Sequence, residues 1–260
     1  MKKVAFSTGA LYLLETTDGL RHLKNAGFEH AELMPQSYTD LSLETLKEID
    51  RIGIHISSIH YPLAFFAILY NANPGMLKDS RDFSDRLALF AKNAGTEFVV
   101  VHPEEEMTGM KARFIAPKIR ENLLYLCSAL DKAGVTVAME NYPSGVGQHP
   151  QTLDAYVKSI NAPNMKIMVD TTEVFEGGED PVEFIKNLEN VPCHLHMSDH
   201  SEDTKHLPPG QGLTDWVSLV KVLKDRGYTG YYNLEPSYRF YMQDLDKCLK
   251  RDYEFICSIV

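Results

Sequence analysis

Acidic residues and histidines recur where short apolar runs of this chain end. Side chains alternate across a strand, so the last inward residue of each strand projects from one mouth of a barrel. In chain order these terminal residues are Glu32, His60, His102, Glu140, Asp170, His196 and Glu235. Val100, Ala138 and Met168 each lie two residues earlier and are predicted to fill the interior. We therefore predict a ring of polar side chains above an apolar core.

Such a ring has one direct chemical use. Several carboxylates in a low-dielectric mouth repel one another unless a cation neutralises them. Oxygen and imidazole ligands without a thiolate suit Mn²⁺, Mg²⁺, Co²⁺ or Zn²⁺ better than a structural zinc cage does. The ring thus predicts a divalent-metal site. A lone histidine in a strand is more often a hydrogen-bonded core residue, which is our interpretation of His194.

The elements that must position this ring follow a repeated pattern of helix, glycine and strand. The glycines suit the left-handed position that closes a helix, and they are Gly27, Gly53, Gly95, Gly134 and Gly227. Eight candidate strands result: VAFS, FEHAELMP, IHISSIHYP, TEFVVVHP, VTVAMENYP, MKIMVDTTE, PCHLHMSDH and YTGYYNLEP. Helices are predicted at roughly 43–52, 81–94, 113–133, 150–160, 180–189, 214–226 and 243–258, the second beginning within DSRDF.

Strands that alternate with helices indicate an α/β fold with parallel strands. A doubly wound open sheet would also satisfy that alternation. However, no GxGxxG opens the first helix, and charged residues end almost every strand instead of clustering at one switch point. The 260 residues match the roughly 250 of a typical barrel. We predict one (β/α)₈ TIM barrel domain over residues 1–260.

Composition limits the classes of partner. Asp and Glu outnumber Lys and Arg by 36 to 26, and the net charge of −10 disfavours binding to nucleic acid. The four cysteines have no CxxC spacing, which favours free thiols in a reducing compartment. Ser7, Thr8 and Gly9 interrupt the amino-terminal apolar run, and no stretch reaches the ~20 apolar residues of a membrane span. We predict a cytoplasmic protein without a membrane partner.

Several motifs carry a family resemblance across nearly the whole chain. They are HYP, HPE, AMENYP, MVDTTE, HLHMSDH, HLPPGQGLTDW and NLEP. Together they resemble the xylose isomerase-like TIM barrel superfamily, which contains sugar and sugar-phosphate isomerases and epimerases as well as endonuclease IV. The most specific piece is H-x-x-D followed by HLPPGQG-x-x-DW. By this resemblance one divalent metal ion is held by Glu140, Asp170, His196 and Glu235.

The resemblance also implies a reaction. In the epimerase branch, the metal binds two adjacent oxygens of a hydroxy-ketone and stabilises an enediolate. A cation beside a developing oxyanion lowers the barrier to removing the neighbouring proton. Glu140 and Glu235 are the predicted catalytic acid–base pair. The expected substrate is a sugar, a sugar phosphate or a related polyol ketone, and an inosose-type dehydratase would use nearly the same ligands.

The alternative is an endonuclease IV-like metallophosphodiesterase that acts on abasic DNA. In that branch the residues at His60 and His102 bind another metal ion, and a third metal needs a histidine after the strand-6 aspartate and a D-x-H pair in the seventh loop. This chain has Glu173 and Thr204 where the first histidine and the aspartate would stand, although His206 is retained. The resemblance therefore favours the sugar enzymes. A catalytically silent sugar-binding barrel is the third alternative.

Six residues are predicted to contact the sugar-like substrate: His60, His102, Glu173, His206, Phe66 and Arg239. His60 and His102 are also candidates for a second metal site. Aromatic residues crowd the loops after strands 3 and 8, where they would form a lid that excludes water. Packing between subunits of a homo-oligomer, or simple covering of helix ends, explains such loops equally well. Arg239, Lys205 and His200 are the basic residues expected near an anionic substrate group.

Overall fold

The structure is a computed structural model that describes residues 2–260. Its β-strands are β1 (Val4–Phe6), β2 (His30–Leu33), β3 (His55–His60), β4 (Phe98–Val101), β5 (Thr136–Met139), β6 (Met165–Ile167), β7 (Val169–Asp170), β8 (Leu195–Met197) and β9 (Tyr232–Leu234). The α-helices are α1 (Thr16–Ala26), α2 (Leu43–Ile52), α3 (Phe66–Leu69), α4 (Pro74–Ala94), α5 (Gly109–Phe114), α6 (Ala116–Lys132), α7 (Pro150–Ile160), α8 (Thr171–Glu176), α9 (Pro181–Asn187), α10 (Trp216–Asp225) and α11 (Leu245–Ile259).

The strands close into a barrel in which all the ladders are parallel. One run has the order β1-β9-β8-β7 and the other β2-β3-β4-β5-β6. The two runs join at both edges, because β6 and β7 are halves of one strand interrupted at Met168, and because Ser7 bridges Glu32 between β1 and β2. Eight strand positions therefore surround one axis, which confirms the predicted (β/α)₈ TIM barrel.

A bulge interrupts the pairing of β2 with β3. His30 pairs with His55 and Ala31 with Ile56, but Glu32 pairs with Ser58. Ser57 is the extra residue, and its hydroxyl donates to the carbonyl of Ala31 at 3.2 Å. A bulge re-aims the side chains that follow it. Here it places the Ser58 hydroxyl against the Glu32 carboxylate.

The apolar core has two parts. A large cluster fills the space between the strands and the surrounding helices. A small separate cluster inside the barrel contains Val100, Ala138 and Met168, with Phe98 and Cys193 packed against it. This confirms the predicted interior residues and places the apolar layer beneath the polar mouth.

The helix ends match the predicted glycine pattern. Gly27, Gly53, Gly95, Gly134 and Gly227 all have positive φ, between 68° and 114°. The prediction for the second helix was wrong at its start, because α4 begins at Pro74 and not within DSRDF. The Asn73 side chain caps it by accepting from the Gly75 amide at 2.9 Å. α1 was absent from the predicted intervals.

The state of the cysteines and the length of the helices bear on two further predictions. All four cysteines are free thiols, of which Cys127 is buried and the other three are half-buried. No helix within residues 2–260 is long and apolar enough to cross a membrane.

Candidate metal centre and active site

A cavity of about 460 Å³ opens at the carboxyl end of the barrel. The structure brings seven of the predicted site residues to its wall: His60, His102, Glu140, Asp170, Glu173, His206 and Glu235. His196 lies buried at its base. Phe66 and Arg239 do not line it. The volume lies within the ~300–1,000 Å³ of small-molecule sites.

Glu140, Asp170 and Glu235 converge on one nitrogen of His196. Its Nδ1 lies 2.8 Å from Glu140 Oε1, 2.7 Å from Glu235 Oε2 and 3.9 Å from Asp170 Oδ2. One potential ligand atom from each of the four residues lies within 4.8 Å of the others. The β5, β7, β8 and β9 ends bring these residues together from positions up to 95 apart in the sequence.

Asp170 has one oxygen engaged and one free. Its Oδ1 accepts from the amides of Thr172 at 2.7 Å and Glu173 at 2.9 Å, and so caps α8. Its amide donates to Asn141 Oδ1 at 2.7 Å, which fixes the backbone. Oδ2 is buried without a hydrogen-bond partner in residues 2–260. Burial, together with the nearby carboxylates of Glu140 and Glu173, raises the pKa of Asp170 to about 8 against the opposing effect of His206.

Glu140 is held by imidazoles on both oxygens. His196 meets Oε1, while His102 Nε2 lies 2.9 Å and His60 Nε2 3.5 Å from Oε2. His60 Nδ1 lies 2.7 Å from the carbonyl of Tyr61, to which it donates, so its Nε2 is turned toward Glu140. Burial acts to raise the pKa of Glu140, but His196 and His102 outweigh it and hold that pKa well below the usual range.

Glu32 lies deeper than its predicted place in the ring. Both of its oxygens are 3.0 Å from His196 Nε2, on the side of the ring away from the cavity. His194 Nε2 lies 3.1 Å from Glu32 Oε2, in agreement with the predicted hydrogen-bonded core role of His194. The stagger of tilted barrel strands explains the depth, because Glu32 pairs with Ser58, two residues below His60.

Glu173 and His206 face each other on one side of the cavity, with 3.5 Å between Glu173 Oε1 and His206 Nε2. His206 has φ +49° and its Nδ1 lies 3.2 Å from the Ser198 hydroxyl. Burial acts to lower the pKa of His206, but Glu173, Asp170 and Glu235 outweigh it and raise that pKa to about 9. The pair therefore presents a carboxylate and an imidazolium to the cavity.

The residues expected to meet an anionic substrate group lie elsewhere. Arg239 donates to the carbonyl of Lys205 at 3.1 Å, and Lys205 pairs with Glu176. His200 stacks on Phe175 with 3.6 Å between ring centroids. The described wall of the cavity contains no lysine or arginine. An anionic group on the substrate would thus meet several carboxylates there.

Aromatic and apolar residues form the rim, and of these Tyr238 lies in the loop after the last strand, where an aromatic lid was predicted. Tyr12, Tyr142 and Tyr238 line the cavity and are 38–43% exposed, and Leu63 is 55% exposed. Tyr12 and Tyr238 meet edge to face, with ring centroids 4.7 Å apart. Phe66 lies behind this surface and stacks on His102 at 5.1 Å. Gln36, Met34 and Asn141 complete the wall, and only Asn141 had a sequence signal, the Glu-Asn pair.

Asp199 explains the most specific motif. Its two oxygens accept from the amides of His200, Gly212 and Thr214 at 2.9–3.0 Å and from Trp216 Nε1 at 3.1 Å. A Cβ at Gly212 would lie 2.2 Å from the carbonyl of His200, so the loop approaches too closely for any larger residue. The loop that carries His206 to the cavity is thereby fixed.

The mouth could hold a divalent metal ion. Three carboxylates surround an imidazole nitrogen, and the orphaned Asp170 Oδ2 is a buried oxygen that a cation would satisfy. His60 with Glu140 and His196 forms a second group of suitable spacing, and Glu32 with His194 and His196 a third. The donor set of oxygen and nitrogen fits the chemistry predicted from the sequence.

Residues 20–258 match the xylose isomerase-like TIM barrel family, and the chain belongs to that family. Among curated proteins, fructoselysine 3-epimerase of Escherichia coli O157:H7 is 28% identical over 221 residues, which cover 82% of this chain and 74% of that protein. An uncharacterised protein of Methanocaldococcus jannaschii is 29% identical over 150 residues. That match covers 54% of this chain and 50% of the length of the relative.

Solved structures agree on the fold. A D-tagatose 3-epimerase-like protein has a TM-score of 0.77 and 22% sequence identity, with 98% of each chain covered. The barrel is therefore shared along essentially the whole length.

Proposed function

We propose that this protein is a divalent-metal-dependent epimerase or isomerase of a ketose or ketose derivative. The observation that carries the proposal is the convergence of Glu140, Glu235 and the unpaired Asp170 oxygen on His196 Nδ1. The relative named as a fructoselysine 3-epimerase supports the same reaction class. Glu140, Asp170, His196 and Glu235 are the proposed metal ligands.

A divalent cation at this site supplies positive charge beside the substrate oxygens, where the carbonyl becomes more negative as the neighbouring proton leaves. Glu140 and Glu235 follow strands β5 and β9, with the β6/β7 strand and β8 between them. They therefore reach the cavity from different parts of its wall. His196 and His102 keep Glu140 ionised, and the ionised carboxylate is the form that can accept a proton from carbon. Glu235, entering the step with a proton, then donates that proton to the other face, so that Glu140 ends the reaction protonated and Glu235 ionised, and exchange with solvent restores both.

The remaining wall residues position the substrate. Glu173 and His206 offer an acceptor and a donor to hydroxyl groups, and the tyrosines of the rim exclude water from the reacting carbon. The four carboxylates of the described wall outnumber the imidazolium of His206, and no lysine or arginine lines that wall, so the proposed substrate is uncharged at the end that enters the cavity, without a phosphate. His60 and His102 are proposed to orient Glu140 by contact with one of its oxygens, from which their Nε2 atoms lie 3.5 and 2.9 Å.

The phosphodiesterase alternative is disfavoured by the same wall. A DNA backbone is an anionic substrate, and the lysine and arginine expected to meet it, Lys205 and Arg239, are engaged with Glu176 and with a backbone carbonyl. Glu173 stands at the position where the endonuclease pattern requires a histidine, and its side chain faces His206.

The decisive experiment measures proton exchange at carbon. The Mn²⁺-loaded protein is incubated in deuterated water with ketohexoses, their phosphates and ketose–amine conjugates, and deuterium incorporation and epimer formation are followed by proton NMR. We expect exchange next to the ketone of an unphosphorylated ketose or conjugate. E140Q and E235Q should each lower the rate by at least about 10²- to 10⁴-fold, because each removes an acid–base group and also one of the four proposed metal ligands.

Glu105 provides the matched control, since it is an exposed acidic residue of the mouth loops that does not line the cavity. E105Q should retain the wild-type rate. Normal turnover by E140Q or by E235Q would contradict the acid–base assignment. Rapid incision of an abasic-site oligonucleotide, with no exchange from any ketose, would replace the epimerase by the phosphodiesterase.

A further inference from the structure

Glu32 is a buried carboxylate that the proposed reaction does not use. It is fully buried and does not line the cavity. Burying a charge is unfavourable unless hydrogen bonds compensate it. Glu32 has three such partners, the Ser58 hydroxyl at 2.8 Å, His194 Nε2 at 3.1 Å and His196 Nε2 at 3.0 Å. Because Glu32 does not reach the cavity, it can affect the site only through one of these three neighbours.

His196 is the partner that connects Glu32 to the mouth. A neutral imidazole carries a proton on one nitrogen and a lone pair on the other, and the hydrogen bond made by the first sets which form is present. Since the Glu32 carboxylate only accepts, it keeps a proton on Nε2. Nδ1 faces Glu140 and Glu235 at 2.8 and 2.7 Å, and these carboxylates also accept, so a cation bound in the mouth would take the place of a proton on Nδ1 and leave the lone pair there as its ligand.

The backbone around Glu32 is built for this contact. The bulge between β2 and β3 sets Ser58 opposite Glu32, so that its hydroxyl donates to Oε2. His194 holds the same oxygen, and its ring stacks on Phe98 with centroids 5.3 Å apart. Glu32 is thus held by Ser58 of β3 and by His194, which directly precedes β8, in addition to its contact with His196.

We propose that Glu32 is a positioning residue of the metal centre, which fixes the orientation and the Nε2-protonated form of His196 so that Nδ1 is available as a ligand. This inference rests on the proposed metal site. A carboxylate behind a metal-binding histidine raises its basicity and orients it, and its loss typically lowers metal affinity about 10- to 100-fold. Glu32 itself touches neither the substrate nor the metal.

The test compares E32Q with wild type by calorimetric titration of Mn²⁺ into the metal-free protein. We expect the Kd of E32Q to be about 10- to 100-fold higher, because the amide lacks the charge and offers a donor as readily as an acceptor. E97Q is the matched control. Glu97 accepts a hydrogen bond from Tyr231 at 2.5 Å at the opposite end of the barrel, so E97Q should change stability but not Mn²⁺ affinity. A Kd for E32Q within twofold of wild type would overturn the proposal.

A second measurement decides the question if E32Q does not fold or if wild type binds no Mn²⁺. Long-range proton–nitrogen NMR of ¹⁵N-histidine-labelled wild type identifies which nitrogen of His196 is protonated. A proton on Nε2 is expected in both states of the protein, alone when a diamagnetic cation such as Zn²⁺ is bound and together with a proton on Nδ1 when no cation is bound. A proton on Nδ1 alone would refute the role of Glu32. Absence of Mn²⁺ binding together with a proton on Nε2 would count against the proposed function and leave the Glu32–His196 assignment standing.

Discussion

His196 carries out two tasks through its two ring nitrogens. Nε2 faces the interior and Glu32, while Nδ1 faces the cavity and two carboxylates. One imidazole thus connects the core of the barrel to its mouth. Substitutions in the interior are therefore expected to act on metal affinity as well as on stability.

Asp199 allows a stability prediction at the same scale. Burial acts to raise its pKa, but the hydrogen bonds from Thr214, Trp216 and His200 outweigh it and lower the pKa. A carboxyl group whose pKa is lower in the folded state stabilises the fold above its unfolded pKa, about 3.9. That contribution is lost as the pH falls through 3.9 toward the folded value.

D199N should therefore lower the free energy of unfolding by about 1–3 kcal/mol at pH 7, because amide donors are left facing the new NH₂ group. The difference from wild type should be constant between pH 7 and 5 and should narrow below about pH 4, as measured by urea unfolding. D203N, at an exposed position of the same loop, should change stability by no more than about 0.5 kcal/mol. A difference that persists unchanged to pH 3 would contradict this account of Asp199.

At this scale the sequence identified which residues face the mouth but not their depth. Alternation in each strand is a local property, so Glu140, Asp170 and Glu235 could be predicted from it. The depth of Glu32 depends on the stagger between strands and on the extra residue Ser57, and both depend on neighbours distant in sequence. Arg239 was misplaced for a similar reason, because the partner that holds it is a carbonyl in another loop.

The helices hold the strands at fixed angles, and their ends show how tightly. Gly27 closes α1 with φ +114°, and a Cβ there would lie 2.7 Å from the ring of Tyr253 in α11. Gly53 closes α2 with φ +68°, but a Cβ there would meet no described atom within 4 Å. A glycine that closes a helix thus packs against a neighbouring helix at Gly27 but has open space around it at Gly53.

G27A is therefore expected to destabilise the protein more than G53A. Left-handed backbone disfavours alanine by about 1–2 kcal/mol at either position. G27A adds the displacement of Tyr253 between α1 and α11, at about 1–3 kcal/mol for an overpacked contact. Chemical denaturation of both variants measures the difference, and equal losses would show that Tyr253 adjusts without strain.

Glycine and capping residues could be predicted at this scale because they act within a few residues of the chain. The predicted start of α4 was wrong by several residues. The predicted cap lay in DSRDF, whereas Asn73 and Pro74 begin the helix earlier. The halves β6 and β7 read as one strand in the sequence, and the break at Met168 arises where the strand changes partners. Met168 donates to Met139 on one side, and Val169 donates to His194 on the other.

The whole molecule is a closed ring of strands with an acidic mouth. Closure places four carboxylates in one cavity, and a cation that bound there would relieve their repulsion only in the folded state. Ligands that bind only the folded state stabilise it in proportion to the logarithm of their concentration. The stability of the barrel should therefore depend on divalent metal.

Mn²⁺ at 100 times its Kd should add about 2.7 kcal/mol to the free energy of unfolding. For a chain of this size that corresponds to a Tm increase of about 5 °C or more, measured after chelation and reloading. D170N should show little increase, and elemental analysis should find one ion per chain. Two ions would point to a second site at one of the two further groups, His60 with Glu140 and His196 or Glu32 with His194 and His196. No increase with Mn²⁺, Co²⁺, Zn²⁺ or Mg²⁺ would contradict a metal site in the mouth.

Ser7 belongs both to the edge where the barrel closes and to the mouth that contains Glu235. It forms the bridge to Glu32, its amide donates to Leu234 at 2.8 Å, and its hydroxyl donates to Glu235 at 3.1 Å. The first and last strands must meet before Glu235 reaches its position, and contacts so distant in sequence form slowly. Metal uptake during refolding would thus report on the closing step, because the metal site is incomplete until the first and last strands have met.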